Sequence, residues 1–185
     1  MTGNKIVLIG GGVRSGKSSF AVERSLTLGE RRAFIATATR SDAEMNARID
    51  RHQADRMNAF KTLEEPLELA DALSALGDYD VVLVDCLTHW FSNLLLRKLL
   101  LDEILRRVDE VITILQKRHF HAVLVTNEVG MSVHPPTSLG RAFVEICGFA
   151  HQRFARAADE VVLAVLGTTL RIKPAAMPHV VERTS

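Results

Sequence analysis

One stretch of this chain limits what it can fold into more than any other: Lys5-Ile-Val-Leu-Ile-Gly-Gly-Gly-Val-Arg-Ser-Gly-Lys-Ser-Ser19. An apolar, β-branched run from Ile6 to Ile9 has the length of a buried strand and meets three glycines. It then passes through Gly16, Lys17 and Ser18 into a helix-forming segment over 19–28. Gly11-x4-Gly16-Lys17-Ser18 is the phosphate-cradling P-loop pattern, and it stands in the strand–loop–helix setting that the pattern needs. Glycines let backbone N–H groups turn inward around phosphate oxygens, where a side chain would block the approach. The new helix points its positive end at the same phosphates. Lys17 is placed to reach the β- and γ-phosphates, and the Ser18 hydroxyl to join a Mg²⁺ shell. Nucleoside-triphosphate binding is the expectation.

The rest of the chain alternates apolar strands with helices. A second strand is expected over 31–37. A capping box at Ser41 and Glu44 opens a polar helix over 42–58, and a short strand follows near Phe60 to Leu63. The segment 67–76 reads as a helix, with Leu69, Ala70, Leu73 and Leu76 on one face. Asp80-Val-Val-Leu-Val-Asp85 is a buried strand ending in a carboxylate. Helix to about Asn93, then a long amphipathic helix over 96–118, lead to the strand Ala122-Val-Leu-Val-Thr126. Pro135 and Pro136 break the chain before a helix over 139–158. Strands over 160–166 and 168–173 close the pattern around Gly167. Strands apolar throughout, alternating with helices, predict a mostly parallel α/β sheet of the P-loop NTPase type with helices on both faces. Residues 1–173 are expected to form a single catalytic domain and 174–185 a loose tail. The ligand belongs beyond the carboxyl ends of the strands.

Composition excludes more than it identifies. With 185 residues, 47% hydrophobic, 24% charged and a net charge of +1, there is no electrostatic case for nucleic acid or an acidic membrane. Apolar runs such as Leu94 to Leu96 and Leu99 to Leu101 are split by Arg97 and Lys98, too short to span a bilayer. Cys86 and Cys147 sit in apolar sequence without metal or disulfide spacing and read as buried, reduced thiols. A cytoplasmic protein without a leader is expected.

Asp85 has two readings: a Mg²⁺-holding acid opposite the P-loop, or a cap for the turn Cys86-Leu87-Thr88. His52 shares a helix face with Met45, Ile49 and Arg56, so it reads first as a packed histidine. Arg48 and Arg56, one turn away on either side, would lower its pKa. A neutral imidazole there is a nucleophile for an α-phosphate. Glu64 and Glu65 either touch ribose or base hydroxyls or end a strand before Pro66. Asn127-Glu128 leaves a strand at the active edge, without the Lys and Asp of a guanine-reading Asn-Lys-x-Asp element. His134 and His151 read as loop and helix-surface residues, and His119 and His121 as bland.

Taken together, Gly11-Gly-Val-Arg-Ser-Gly-Lys-Ser18, Phe34-Ile-Ala-Thr37, Asp42-Ala-Glu-Met45 with Arg48, Ile49 and His52, Glu64-Glu-Pro66, Val84-Asp-Cys-Leu-Thr88, Val125-Thr-Asn-Glu-Val-Gly-Met131 and Leu170-Arg-Ile-Lys173 form an ordered series. The series resembles the bifunctional adenosylcobinamide kinase / adenosylcobinamide-phosphate guanylyltransferase family of cobalamin assembly. The resemblance implies phosphorylation of the corrinoid's terminal hydroxyl by ATP or GTP, then transfer of GMP from GTP with release of pyrophosphate. It implies that His52 carries GMP covalently, which reverses the packing reading. It also implies nucleotide contacts at Gly11, Gly12, Val13, Arg14, Ser15, Gly16, Lys17, Ser18, Ala36, Thr37, Ala38, Gln53, Ala54, Asp55, Arg56, Glu64 and Asp85, with Ser18 and Asp85 toward Mg²⁺. Arg51 beside His52, and His134 with two prolines after Met131, depart from the family pattern. The leucine-rich stretch 94–115 and the family both suggest a homo-oligomer. The rival expectations are a small-molecule P-loop kinase without nucleotidyl transfer and a nucleotide-dependent switch.

Overall fold

The structure is a computed structural model and describes residues 3–39 and 59–174. The expected helix over 42–58 and the tail after 174 lie outside the described residues, and so does His52.

Seven strands form one sheet: β1 (Ile6–Gly11), β2 (Arg32–Ala36), β3 (Lys61–Glu64), β4 (Val81–Asp85), β5 (His121–Asn127), β6 (Glu160–Val165) and β7 (Thr168–Lys173). Their order is β3-β2-β4-β5-β1-β6-β7. All neighbours are parallel except β6 and β7, which pair antiparallel. The helices are α1 (Lys17–Leu26), α2 (Leu69–Ser74), α3 (Leu87–Leu96), α4 (Leu101–Gln116) and α5 (Ser138–Ala157). This is the expected P-loop NTPase-like α/β architecture.

Strand side chains alternate between two apolar layers, as the pleat requires. Ile6, Leu8, Ile35, Val82, Val84 and Leu124 face a large core closed by α2, α3, α4 and α5. Val7, Ile9, Phe34, Leu83, Val123 and Val125 face a smaller one that takes Ala21 of α1. Because both faces are covered, the central strands are apolar at every position, which is why no period of two appears in their sequence.

One local outcome differs from expectation. The break expected between a helix ending near Asn93 and a long helix over 96–118 falls later, at 97–100, so that α3 runs to Leu96 and α4 starts at Leu101. Lys98 takes φ 65°, a left-handed conformation that no helix interior tolerates. The backbone N–H of Leu100 donates to the Glu103 carboxylate at 2.7 Å, restarting the chain as α4. The turn after β6 matches the expectation around Gly167, with Leu166 at φ 53° and Gly167 at φ 78°. That pair of positive angles is the hairpin turn which suits two strands twisting together.

The connections set where a ligand can enter. The chain leaves β1 through α1 toward β2 on one side, and leaves β5 through α5 toward β6 on the other. α1 and α5 pack on opposite faces of the sheet. Beyond the carboxyl ends of β1 and β5 the connections therefore diverge, which opens a crevice at a topological switch point.

Candidate active site

The crevice is lined first by the β1–α1 loop. Gly16 stands at the N-cap of α1 with φ 92°, and Arg14 takes φ 56°. At Gly11 a Cβ would lie 2.6 Å from the Ala164 carbonyl oxygen and 2.6 Å from Ser15 Oγ. Glycine is required there by the close approach of β6. The Gly167 N–H donates to the Ser15 carbonyl at 3.2 Å, so the β6–β7 turn clamps the loop from behind. No acidic residue occupies the first turn of α1, which leaves its positive end uncompensated by the chain itself. Ser15 Oγ is buried and has no hydrogen-bond partner among the described residues. A buried hydroxyl without a partner is costly and is what a phosphate oxygen would satisfy.

Lys17 is buried, and its Nζ donates to the Gly12 carbonyl at 3.0 Å. The lysine thus lies folded along the loop. Asp85 ends β4, level with Ala36 of β2 and Val125 of β5. Burial pushes the Cys86 thiol up to about 11; the charge of Asp85 adds to this and that of Lys17 opposes it. Both charges are thus felt at Cys86, at the carboxyl end of β4. Thr37 and Thr88, rather than Asp85, tie down Cys86. Thr37 Oγ1 donates to the Cys86 carbonyl at 2.7 Å and accepts its N–H at 2.9 Å, and Thr88 Oγ1 lies 3.0 Å from the thiol. Cys86 and Cys147 are both buried and free, as expected.

A second polar group gathers after β5. Asn127 Nδ2 donates to Thr88 Oγ1 at 3.0 Å, fixing the end of β5 to the start of α3. The Glu128 N–H donates to the Gly11 carbonyl at 3.0 Å. The Glu128 carboxylate accepts the Gly130 N–H at 2.6 Å and stands 4.0 Å from His151 Nδ1. His151 Nε2 lies 2.6 Å from Thr126 Oγ1. The histidine expected on the helix surface is in fact turned inward, its side chain 15% exposed and its ring 6.1 Å from that of Phe91. Burial lowers its pKa against the opposing pull of Glu128. The signal was in the spacing: His151 follows Cys147 by four and precedes Phe154 by three, and both are buried.

The sequence profile of the cobinamide kinase / cobinamide phosphate guanyltransferase family matches residues 7–172. The chain belongs to that family. It is similar to the bifunctional adenosylcobalamin biosynthesis protein CobP of Pseudomonas aeruginosa, at 38% identity over 90% of this chain and 96% of that protein. It is also similar to the bifunctional adenosylcobalamin biosynthesis protein CobU of Escherichia coli, at 34% identity over 91% of this chain and 99% of the relative. Among solved structures, the flagellar accessory protein FlaH of Methanocaldococcus jannaschii superposes with a TM-score of 0.52 at 10% identity, covering 88% of this chain and 72% of that one. At that identity the likeness speaks to the fold alone.

For the positions that the family resemblance marked, the structure brings the residues of 11–18, Ala36, Ala38 and Asp85 to one edge of the sheet. Thr37 is there too, but its polar atoms are engaged within the protein. Its N–H donates to Asp85, its hydroxyl binds Cys86, and its carbonyl accepts from Asn93 Nδ2 at 2.8 Å. Asn93 also donates to the Pro66 carbonyl at 3.0 Å, so it holds the loops after β2 and β3 together, a role not visible in sequence. Glu65 caps the next segment by accepting the N–H groups of Leu67 and Glu68, each at 2.8 Å. Glu64 ends β3 at the outer margin of the sheet. Gln53, Ala54, Asp55 and Arg56 lie, with His52, outside the described residues.

Proposed function

We propose that this chain carries out both family reactions on a corrinoid: phosphorylation of cobinamide's terminal hydroxyl by ATP or GTP, then transfer of GMP from GTP to the resulting phosphate. The observation that carries the reading is the match of this family over residues 7–172, joined to a formed P-loop with Lys17 folded along it and Asp85 at the carboxyl end of β4. In both transfers the loop amides and Lys17 take up charge that moves onto the departing phosphate groups. Ser18 and Asp85 supply hard oxygen donors of the kind Mg²⁺ prefers, and Mg²⁺ bound there would neutralise the triphosphate. In the second reaction His52 Nε2 or Nδ1 gives its lone pair to the α-phosphorus, and the bond to pyrophosphate breaks. The corrinoid phosphate then displaces the imidazole from GMP. Two displacements replace the direct meeting of two anions.

The test is incubation of the purified chain with α-³²P-GTP and Mg²⁺ beside His52→Ala, followed by denaturation. Acid-labile, base-stable label on the wild type alone is expected. Label on neither protein, with GTP shown to bind, would leave a small-molecule P-loop kinase and return His52 to packing. Among the described residues no helix is long and apolar enough to cross a membrane. We place the enzyme in the cytoplasm, without nucleic acid as a partner, as a homo-oligomer whose contacts include the exposed Leu96 and Leu100 between α3 and α4. Light scattering at micromolar concentration should give a multiple of 20.5 kDa, and a monomer mass would sink the oligomer.

A further inference from the structure

The inference rests on the two-reaction reading above and concerns what separates the reactions. The two acceptors differ in whether a proton must leave during transfer. A cobinamide hydroxyl must shed its proton as its oxygen bonds phosphorus. The cobinamide phosphate, with a second pKa of about 6, is largely a dianion at neutral pH and has none to shed. The first transfer gains from a proton acceptor that the second does not use.

Four carboxylates among the described residues stand at the carboxyl edge of the sheet: Glu64, Glu65, Asp85 and Glu128. Glu65 is taken up by two backbone N–H groups, and Asp85 is the acid proposed for Mg²⁺. Glu64 ends the outermost strand, with β2, β4 and β5 between it and the P-loop strand. Glu128 follows β5, the strand paired with β1. Its own N–H is bonded to Gly11, the first residue of the P-loop. It therefore stands at the switch point, where the connections diverge and a second substrate can approach the triphosphate.

We propose that Glu128 is the general base of the phosphorylation step. Its carboxylate takes the proton of the acceptor hydroxyl while that oxygen forms its bond to the γ-phosphorus. The β–γ bridging bond breaks and leaves its electron pair on the nucleoside diphosphate. Glu128 then returns the proton to solvent, through the 30% of its side chain that is exposed. The carboxylate is oriented for this. One oxygen accepts the Gly130 N–H, and the other faces His151, which Thr126 and the Phe91 ring hold in place. Burial keeps that imidazole neutral near pH 7, so Glu128 does not face a fixed cation on this side.

Glu128→Gln keeps the shape and the acceptor for Gly130 while removing the base. With the full chain, Mg²⁺ and GTP, two rates are measured: phosphorylation of cobinamide from γ-³²P-GTP, and GMP transfer to supplied cobinamide phosphate. The expected result is a fall in the phosphorylation kcat of about 100-fold or more with GMP transfer unchanged. A phosphorylation rate equal to the wild type overturns the proposal. If Glu128→Gln lowers both rates, Glu128→Asp decides. Phosphorylation recovering above the Gln variant, while GMP transfer stays where it was, upholds the base. Equal loss in both reactions makes Glu128 a loop anchor only. A wild type that phosphorylates nothing would instead refute the two-reaction reading, an outcome visible before any variant is made.

Discussion

Lys17→Met is expected to lower kcat for phosphorylation and for GMP transfer alike, each by about 10²–10³-fold, the loss typical of removing one charge-stabilising donor from a transition state. The argument starts from placement. Lys17 is buried along the loop with Nζ on the Gly12 carbonyl, so its charge is held where a phosphate would sit and solvent screens it poorly. Both reactions push negative charge onto phosphate oxygens at this loop, in one case on the diphosphate and in the other on pyrophosphate. A single ammonium therefore serves both. Methionine keeps the length and the apolar stem, so the fold should survive, which a thermal melt checks. Steady-state rates for the two reactions decide the matter. Loss of one reaction alone would mean that the triphosphate does not use this loop in the other.

The chemistry of the loop was legible because it is local. Seven consecutive positions after β1 carry the glycines, the lysine and the serine, and their meaning needs no knowledge of distant parts. The place of Asp85 at the end of β4 was legible for a related reason, since an apolar run that stops at a carboxylate marks where a buried strand ends. The parallel sheet followed from strands apolar at every position. What stayed hidden depends on pairs far apart in the chain. Thr126 and His151 are 25 residues apart, and only the packing of α5 against the sheet shows that the histidine is inside. Asn93 joins two loops, 56 residues back at Thr37 and 27 back at Pro66. The break between α3 and α4 was expected just after Asn93 and falls at 97–100, because the leucines on both sides continue the helical period and the reversal rests on one backbone angle at Lys98. Strand order was invisible for the same reason, since β5 pairs with β1 across more than a hundred residues.

Phe91→Ala is expected to destabilise the chain by about 3–5 kcal/mol, the range for truncating a buried aromatic. Phe91 is fully buried in the larger core. Its ring lies 5.5 Å from that of Trp90 and 6.5 Å from that of Phe154. Alanine would leave a void bounded by the sheet on one side and by α5 on the other. Neither can collapse into it without moving a strand or a twenty-residue helix. In a chain of this size each kcal/mol lowers Tm by roughly 2–4 °C, so a fall on the order of 10 °C is expected. Urea unfolding should show a lower midpoint at an unchanged slope if only the folded state is affected. Val133→Ala is the control: that side chain is almost wholly exposed, and the change should stay within about 0.5 kcal/mol. A Phe91→Ala loss no larger than the Val133→Ala one would mean that α3 is not clamped between sheet and α5 as described. His151 would then lose the wall that keeps it turned toward Glu128.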